Sequence, residues 1–167
     1  FMHSQFSIGH IFFNMFALVI FGSNLERVWG PQKFLGFYIS CALGASILHL
    51  SVNYFRIHNI EASLTMEDLE LFRTSGYEAF QKGMNFTDPI LAQLNILYNT
   101  PMIGASGAVF GLLAAFGYLF PNTELMLLFP PIPIKAKYLV IGYAALELYL
   151  GISNNASDNV AHFAHLG

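Results

Sequence analysis

Apolar residues are gathered into long blocks along this chain. Phe6 to Leu25 is the first, closed by the polar turn Glu26-Arg27-Val28-Trp29-Gly30-Pro31. A helix needs about 20 mostly apolar residues to cross a bilayer, so this block predicts a spanning helix. A second runs from Phe34 to Phe55, where Cys41, Gly44 and Ala45 give it a small-residue side for close packing. A third, Ile103 to Phe120, starts in a glycine-rich turn and stops at Pro121. A fourth extends from about Lys137 to Ile152, after the connector Phe129-Pro130-Pro131-Ile132-Pro133, and a fifth opens near Asp158 and reaches Gly167. The expected fold class is all-α, a polytopic membrane helix bundle with five spans in this chain.

The segment 56–100 breaks the pattern. It holds Glu61, Glu67, Asp68, Glu70, Glu78 and Asp88 against Arg56, Arg73 and Lys82. Thr65-Met66-Glu67-Asp68 reads as a helix N-cap with an acidic first turn. Leu69, Leu71 and Phe72 suggest an amphipathic helix, punctuated afterwards by Gly76 and Gly83. The expectation is one domain, residues 1–167, with 56–100 as an extracytoplasmic insertion of one or two helices between the second and third spans. The insertion reads either as a long connector or as a gate or docking element for substrate.

Composition agrees with a membrane environment. The 167 residues are 55% apolar and 16% aromatic but only 10% charged, where a soluble domain carries about 25% charged residues. The net charge of −3 is small and forms no basic face, which removes support for nucleic-acid binding. The lone Cys41 excludes a disulfide framework within the chain and reads as a packing thiol. Orientation follows from Arg27 and Lys33 in the first short loop and Lys135 and Lys137 before the fourth span. Two spans separate these loops, so both fall on one side, which the positive-inside rule makes cytoplasmic.

Polar residues inside spans are costly and mark function by default. His10 and Asn14 on the first span, Ser106 on the third, and His162 and His165 on the fifth then share one depth at the outer side. Gly104-Ala105-Ser106-Gly107 enters a helix, where free N–H groups favour a developing oxyanion; the same glycines also suit close helix packing. His10 and Asn14, four residues apart, share a face and offer two hydrogen-bond donors to an oxyanion, or alternatively glue two spans together. Either His162 or His165 could serve as general base for Ser106. No carboxylate lies deep in the fifth span to orient that histidine, which points to a dyad.

Gly104-Ala105-Ser106-Gly107, His10-Ile11-Phe12-Phe13-Asn14 and Ala164-His165-Leu166-Gly167 together resemble the signature elements of rhomboid intramembrane serine proteases, in that family's chain order. Gly22 and Leu25-Glu26 resemble a further structural element. The resemblance covers nearly the whole chain outside 56–100. It implies a six-helix bundle of which one helix lies upstream, with Ser106 as nucleophile and His165 as base. It further implies an oxyanion hole of the Ser106 backbone N–H, His10 and Asn14. Gly104 would add backbone room, while Gly107 and His162 would be supporting residues. No cofactor or metal is implied. The partners would be the lipid bilayer and the transmembrane segments of substrate proteins, and the location a bacterial inner membrane with the site open to the extracytoplasmic side.

Three other readings remain at this point. A zinc site built from His3, His10, His162 and His165 would lack both a His-Glu-x-x-His motif and a buried carboxylate to activate water. A transporter would use the intramembrane His and Asn to line a pathway, but no inverted repeat or acidic relay is visible. A catalytically dead relative of the family would ordinarily have lost the serine or the histidine.

Overall fold

A computed structural model describes residues 6–100, 106–126, 131–153 and 165, with side chains from residue 11 onward. The fold is mostly helical and divides into two compact units. The first comprises 1–48, 103–154 and 161–167, and the second 49–102 and 155–160.

The first apolar block folds as α1 (Phe6–Ala17), a π-helical turn (Leu18–Gly22) and α2 (Ser23–Trp29), continuous in chain order. The expected polar turn therefore forms later than Glu26. Glu26 and Arg27 lie within α2, and the chain turns only at Gly30, whose φ of 80° suits a residue without a Cβ. Pro31 then opens α3 (Pro31–Ser63), at a helix start where its missing N–H costs nothing. This helix has 33 residues, about 50 Å at 1.5 Å per residue, and outlasts the expected stretch Phe34 to Phe55. Ile11–Trp29 and Pro31–Ser63 are both long and apolar enough to cross a membrane.

The core of the first unit is α6 (Ser106–Leu119). Gly107, Ala108, Val109, Leu112, Leu113, Phe116 and Gly117 are buried and cover most of its circumference, leaving a stripe at Ala114 and Tyr118 exposed. Two glycines let neighbours approach. A Cβ at Gly111 would collide with Cys41 Sγ and stand 2.8 Å from Cys41 Cβ on α3; one at Gly117 would stand 2.5 Å from Val140 Cγ2. Cys41 thus packs as a half-buried thiol on the small-residue side of α3, with Ala45 buried one turn on. Phe21 of the π turn meets Phe116 with ring centroids 5.1 Å apart, and Leu25 is fully enclosed.

After α6 the chain forms a small antiparallel pair that flanks the proline-rich connector. β1 (Glu124–Met126) pairs with β2 (Pro133–Lys135) in a register setting Glu124 opposite Lys135. Pro133 takes the first position of its strand, where proline is tolerated. The chain then enters α7 (Ala136–Ser153), close to the expected fourth helix. Burial on α7 is inverted relative to a water-soluble helix. Glu147 is buried, whereas Ile141, Leu146, Leu148, Tyr149 and Ile152 are exposed. An apolar exterior around a polar interior suits a lipid solvent.

In the second unit the charged segment forms two helices, α4 (Met66–Gln81) and α5 (Pro89–Asn99). The expected cap at Thr65 is a full capping box, in which the Asp68 N–H donates to Thr65 Oγ1 while the Thr65 N–H donates to Asp68 Oδ2. Asp88 caps α5 by accepting from Ile90 and Leu91 N–H, and Pro89 occupies the first turn. Asn95 is wholly buried where α5 meets Gly76 of α4. Its Nδ2 donates to Asn85 Oδ1 at 3.1 Å, and its Oδ1 accepts from Asn99 Nδ2 at 2.8 Å. Tyr98 donates its hydroxyl to Glu61 at 2.9 Å; partial burial and then the adjoining carboxylate push the phenol above its ordinary pKa.

Candidate active site

Ser106 is the first residue of α6, where the leading backbone N–H groups have no carbonyl of their own turn to meet. Its Oγ lies 3.1 Å from Nε2 of His165, 59 positions later. With Nε2 unprotonated, the serine hydroxyl donates to it, the arrangement a serine nucleophile and its base require. Phe110 stands four residues after Ser106 on the same face of α6. It stacks on the imidazole with centroids 4.2 Å apart and planes 19° from parallel, and Tyr143 of α7 meets Phe110 edge-on at 5.6 Å. The ring is thereby held flat while Nε2 stays aimed at the serine.

The other ring nitrogen faces a carboxylate. His165 Nδ1 is 3.1 Å from Oε2 of Glu147, with only 11% and 9% of the two side chains exposed. The carboxylate oxygen is within ion-pair distance but off the axis of a ring N–H, so the contact is electrostatic rather than an aligned hydrogen bond. No carboxylate lies deep in the fifth span to orient this histidine; α7, the expected fourth span, supplies one. A buried carboxylate is therefore present beside a site histidine, contrary to the expectation that none was placed there. Its signal was legible, since Glu147 is the one charged residue between Tyr138 and Ile152. Phe110 had a weaker signal, an aromatic one turn beyond the serine.

The remaining expected residues are distributed as follows. His10 and Asn14 both fall on α1, one helical turn apart, and Asn14 is half-buried. α1 packs against α6, the helix that Ser106 opens. Gly107 is the second residue of α6 and is buried. Gly104, His162 and His3 lie outside the described residues, as does the proposed start of the fifth span near Asp158. Among the described residues no group of three or more His, Cys, Asp or Glu is arranged to hold a metal ion.

The Rhomboid domain family matches residues 1–58 and 80–167, leaving unmatched only a stretch inside the charged segment. The chain is 34% identical to "RHOMBOID-like protein 12, mitochondrial" of Arabidopsis thaliana, over 98% of this chain and 40% of that protein. It is 29% identical to "Rhomboid protein 1, mitochondrial" of Saccharomyces cerevisiae, over 80% and 27% respectively. It is 28% identical to "Rhomboid protease AarA" of Providencia stuartii, over 95% and 46%. The chain thus spans less than half the length of each of these relatives. No solved structure matches it. With a domain match over most of its length, the chain belongs to the rhomboid family.

Proposed function

We propose that this chain is the catalytic core of an intramembrane serine endopeptidase that cleaves transmembrane segments of other proteins. The contact that carries the reading is Ser106 Oγ to His165 Nε2 at 3.1 Å. Family membership and a protease-named relative support it. In this reading Nε2 takes the hydroxyl proton as Oγ attacks the scissile carbonyl. The collapsing tetrahedral intermediate receives that proton on its leaving amine, and water then hydrolyses the acyl-serine by the same route. The Ser106 backbone N–H, His10 and Asn14 would stabilise the oxyanion, Gly104 would leave room for the peptide, and Gly107 and His162 would support the site.

The membrane setting follows from the inverted burial of α7 and the two long apolar helices. Five spans in this chain, with the site on the extracytoplasmic side, fit the basic residues at Arg27, Lys33, Lys135 and Lys137. The family includes mitochondrial relatives in a plant and in yeast as well as one from Providencia stuartii, so the expected bacterial inner membrane broadens to a membrane location.

The test is cleavage of a model transmembrane substrate by the purified full-length protein. Ser106→Ala and His165→Ala should each lose activity by about a thousandfold or more. A fluorophosphonate probe should label wild type and not Ser106→Ala. Undiminished cleavage by Ser106→Ala would sink the serine-protease reading. Loss of wild-type activity on chelation, restored by zinc, would replace it with a metal mechanism.

A further inference from the structure

The proposed chemistry uses one face of His165 and leaves Glu147 without a role. A carboxylate is among the least suitable groups to enclose within an apolar helix, because removal from water penalises its charged form. Glu147 is nonetheless buried, while its helix turns Ile141, Leu146, Leu148 and Ile152 outward. Four residues earlier on α7, Tyr143 abuts Phe110, and Phe110 stacks on the imidazole. Tyr143 and Glu147, four residues apart on α7, thus share the side of that helix that meets Phe110 and His165.

From this geometry we infer that Glu147 is the positioning residue for His165, making a Ser106–His165–Glu147 triad where the sequence suggested a dyad. The inference rests on the serine-protease reading of the same site. Its chemistry concerns which nitrogen holds the proton. A carboxylate 3.1 Å from Nδ1 favours the tautomer protonated there, which leaves the Nε2 lone pair toward Ser106 Oγ. When Nε2 then takes the serine proton the ring becomes a cation, and the nearby anion stabilises that state more than the neutral one. The interaction is thus stronger in the transition state than in the ground state, which raises turnover rather than substrate affinity. Glu147 takes no part in the transfer itself; the proton travels only from Oγ to Nε2 and on to the leaving amine. Facing the imidazole among the described residues are Ser106 and Phe110 from α6 and Glu147 from α7, so Glu147 is the charged group among them.

The experiment compares wild type, Glu147→Gln, Glu147→Asp and Ser106→Ala of the full-length protein on a model transmembrane substrate. An opposite charge within about 4–6 Å favours a charged form by one to three powers of ten, so Glu147→Gln should lower kcat by about 10- to 100-fold with KM little changed. Glu147→Asp, which keeps the charge on a shorter stem, should recover part of that loss. In histidine-selective 15N spectra, the His165 signal (identified by its absence in His165→Gln) should move from the Nδ1–H tautomer toward Nε2–H in Glu147→Gln. Wild-type kcat in Glu147→Gln, with Ser106→Ala inactive, would overturn the role of Glu147 and leave the protease reading standing. Equal losses in Glu147→Gln and Glu147→Asp with an unchanged tautomer would make the residue purely structural and also overturn the inference. Activity in Ser106→Ala would instead overturn the reading beneath it.

Discussion

Imidazole placement is decided by few contacts, and one of them is apolar. Phe110 covers the flat face of His165 at 4.2 Å, so the ring is located by stacking as well as by its two nitrogens. Aromatic pairs of this kind contribute about 0.5–1.5 kcal/mol beyond their area, which corresponds to roughly two- to tenfold in rate if lost from the transition state. Phe110→Leu keeps an apolar side chain but removes the ring, and should lower kcat by that factor; Phe110→Tyr should retain most activity. Single-turnover cleavage of a transmembrane substrate reads the difference, and wild-type kcat in Phe110→Leu would count against the stacking role. Ser106 and His165 were legible as residues because each sits in a short motif. Phe110 and Glu147 carry no motif, and their parts emerge only when α6 and α7 are brought side by side. Glu147 is a lone charge in an apolar run, but its partner lies on a different helix, so its part depends on tertiary packing that no local pattern records.

Between elements, packing depends on what is missing from side chains. Gly111 admits Cys41 of α3 so closely that an added methyl group has no space. Gly111→Ala should destabilise the protein by about 1–3 kcal/mol, the usual range for overpacking a tight contact. Cys41→Gly in the same chain should restore part of this, and the coupling in a double-mutant cycle matters more than either single value, since glycine within a helix itself costs about 1 kcal/mol. Thermal unfolding in detergent micelles measures all four proteins; additive effects would mean that the two residues do not share the contact. The α4–α5 pair obeys a polar version of the rule. Asn95→Leu would keep the branched shape with a bulkier side chain and remove the side-chain hydrogen bonds to Asn85 and Asn99, while Asn99 keeps its bond to the Asn95 carbonyl. Because Asn85 is exposed and can turn to water, the loss should be near 1 kcal/mol, visible as faster amide exchange across residues 85–99. The Thr65 cap of this pair could be read directly from its residue pattern. The buried Asn95 could not, because its satisfaction depends on Asn85, ten residues away.

For the molecule as a whole, the apolar blocks located the helices better than they located their ends. Charges beyond Phe55 suggested that the second helix stops there, yet no glycine or proline follows Gly44 until Gly76, and α3 continues to Ser63. Charged residues do not end helices; breakers and caps do, and the first strong cap is Thr65. Conversely, Glu26 and Arg27 looked like a turn but remain helical until Gly30 provides positive φ. Orientation is the feature that rests most on charge, and α7 offers a clean test of it. The helix has 18 residues, about 27 Å end to end, close to the roughly 30 Å of a bilayer's hydrocarbon core. Lys135 lies just before it and Ser153 closes it. If the positive-inside reading holds, Lys33→Cys and Lys135→Cys should resist a membrane-impermeant maleimide in sealed right-side-out vesicles, and Ser153→Cys should react, each in a Cys41→Ala background. The reverse pattern would invert the orientation and open the serine to the other compartment. Reaction at all three positions from one side would show that α7 does not cross, and that the helix count inferred from the apolar blocks is too high.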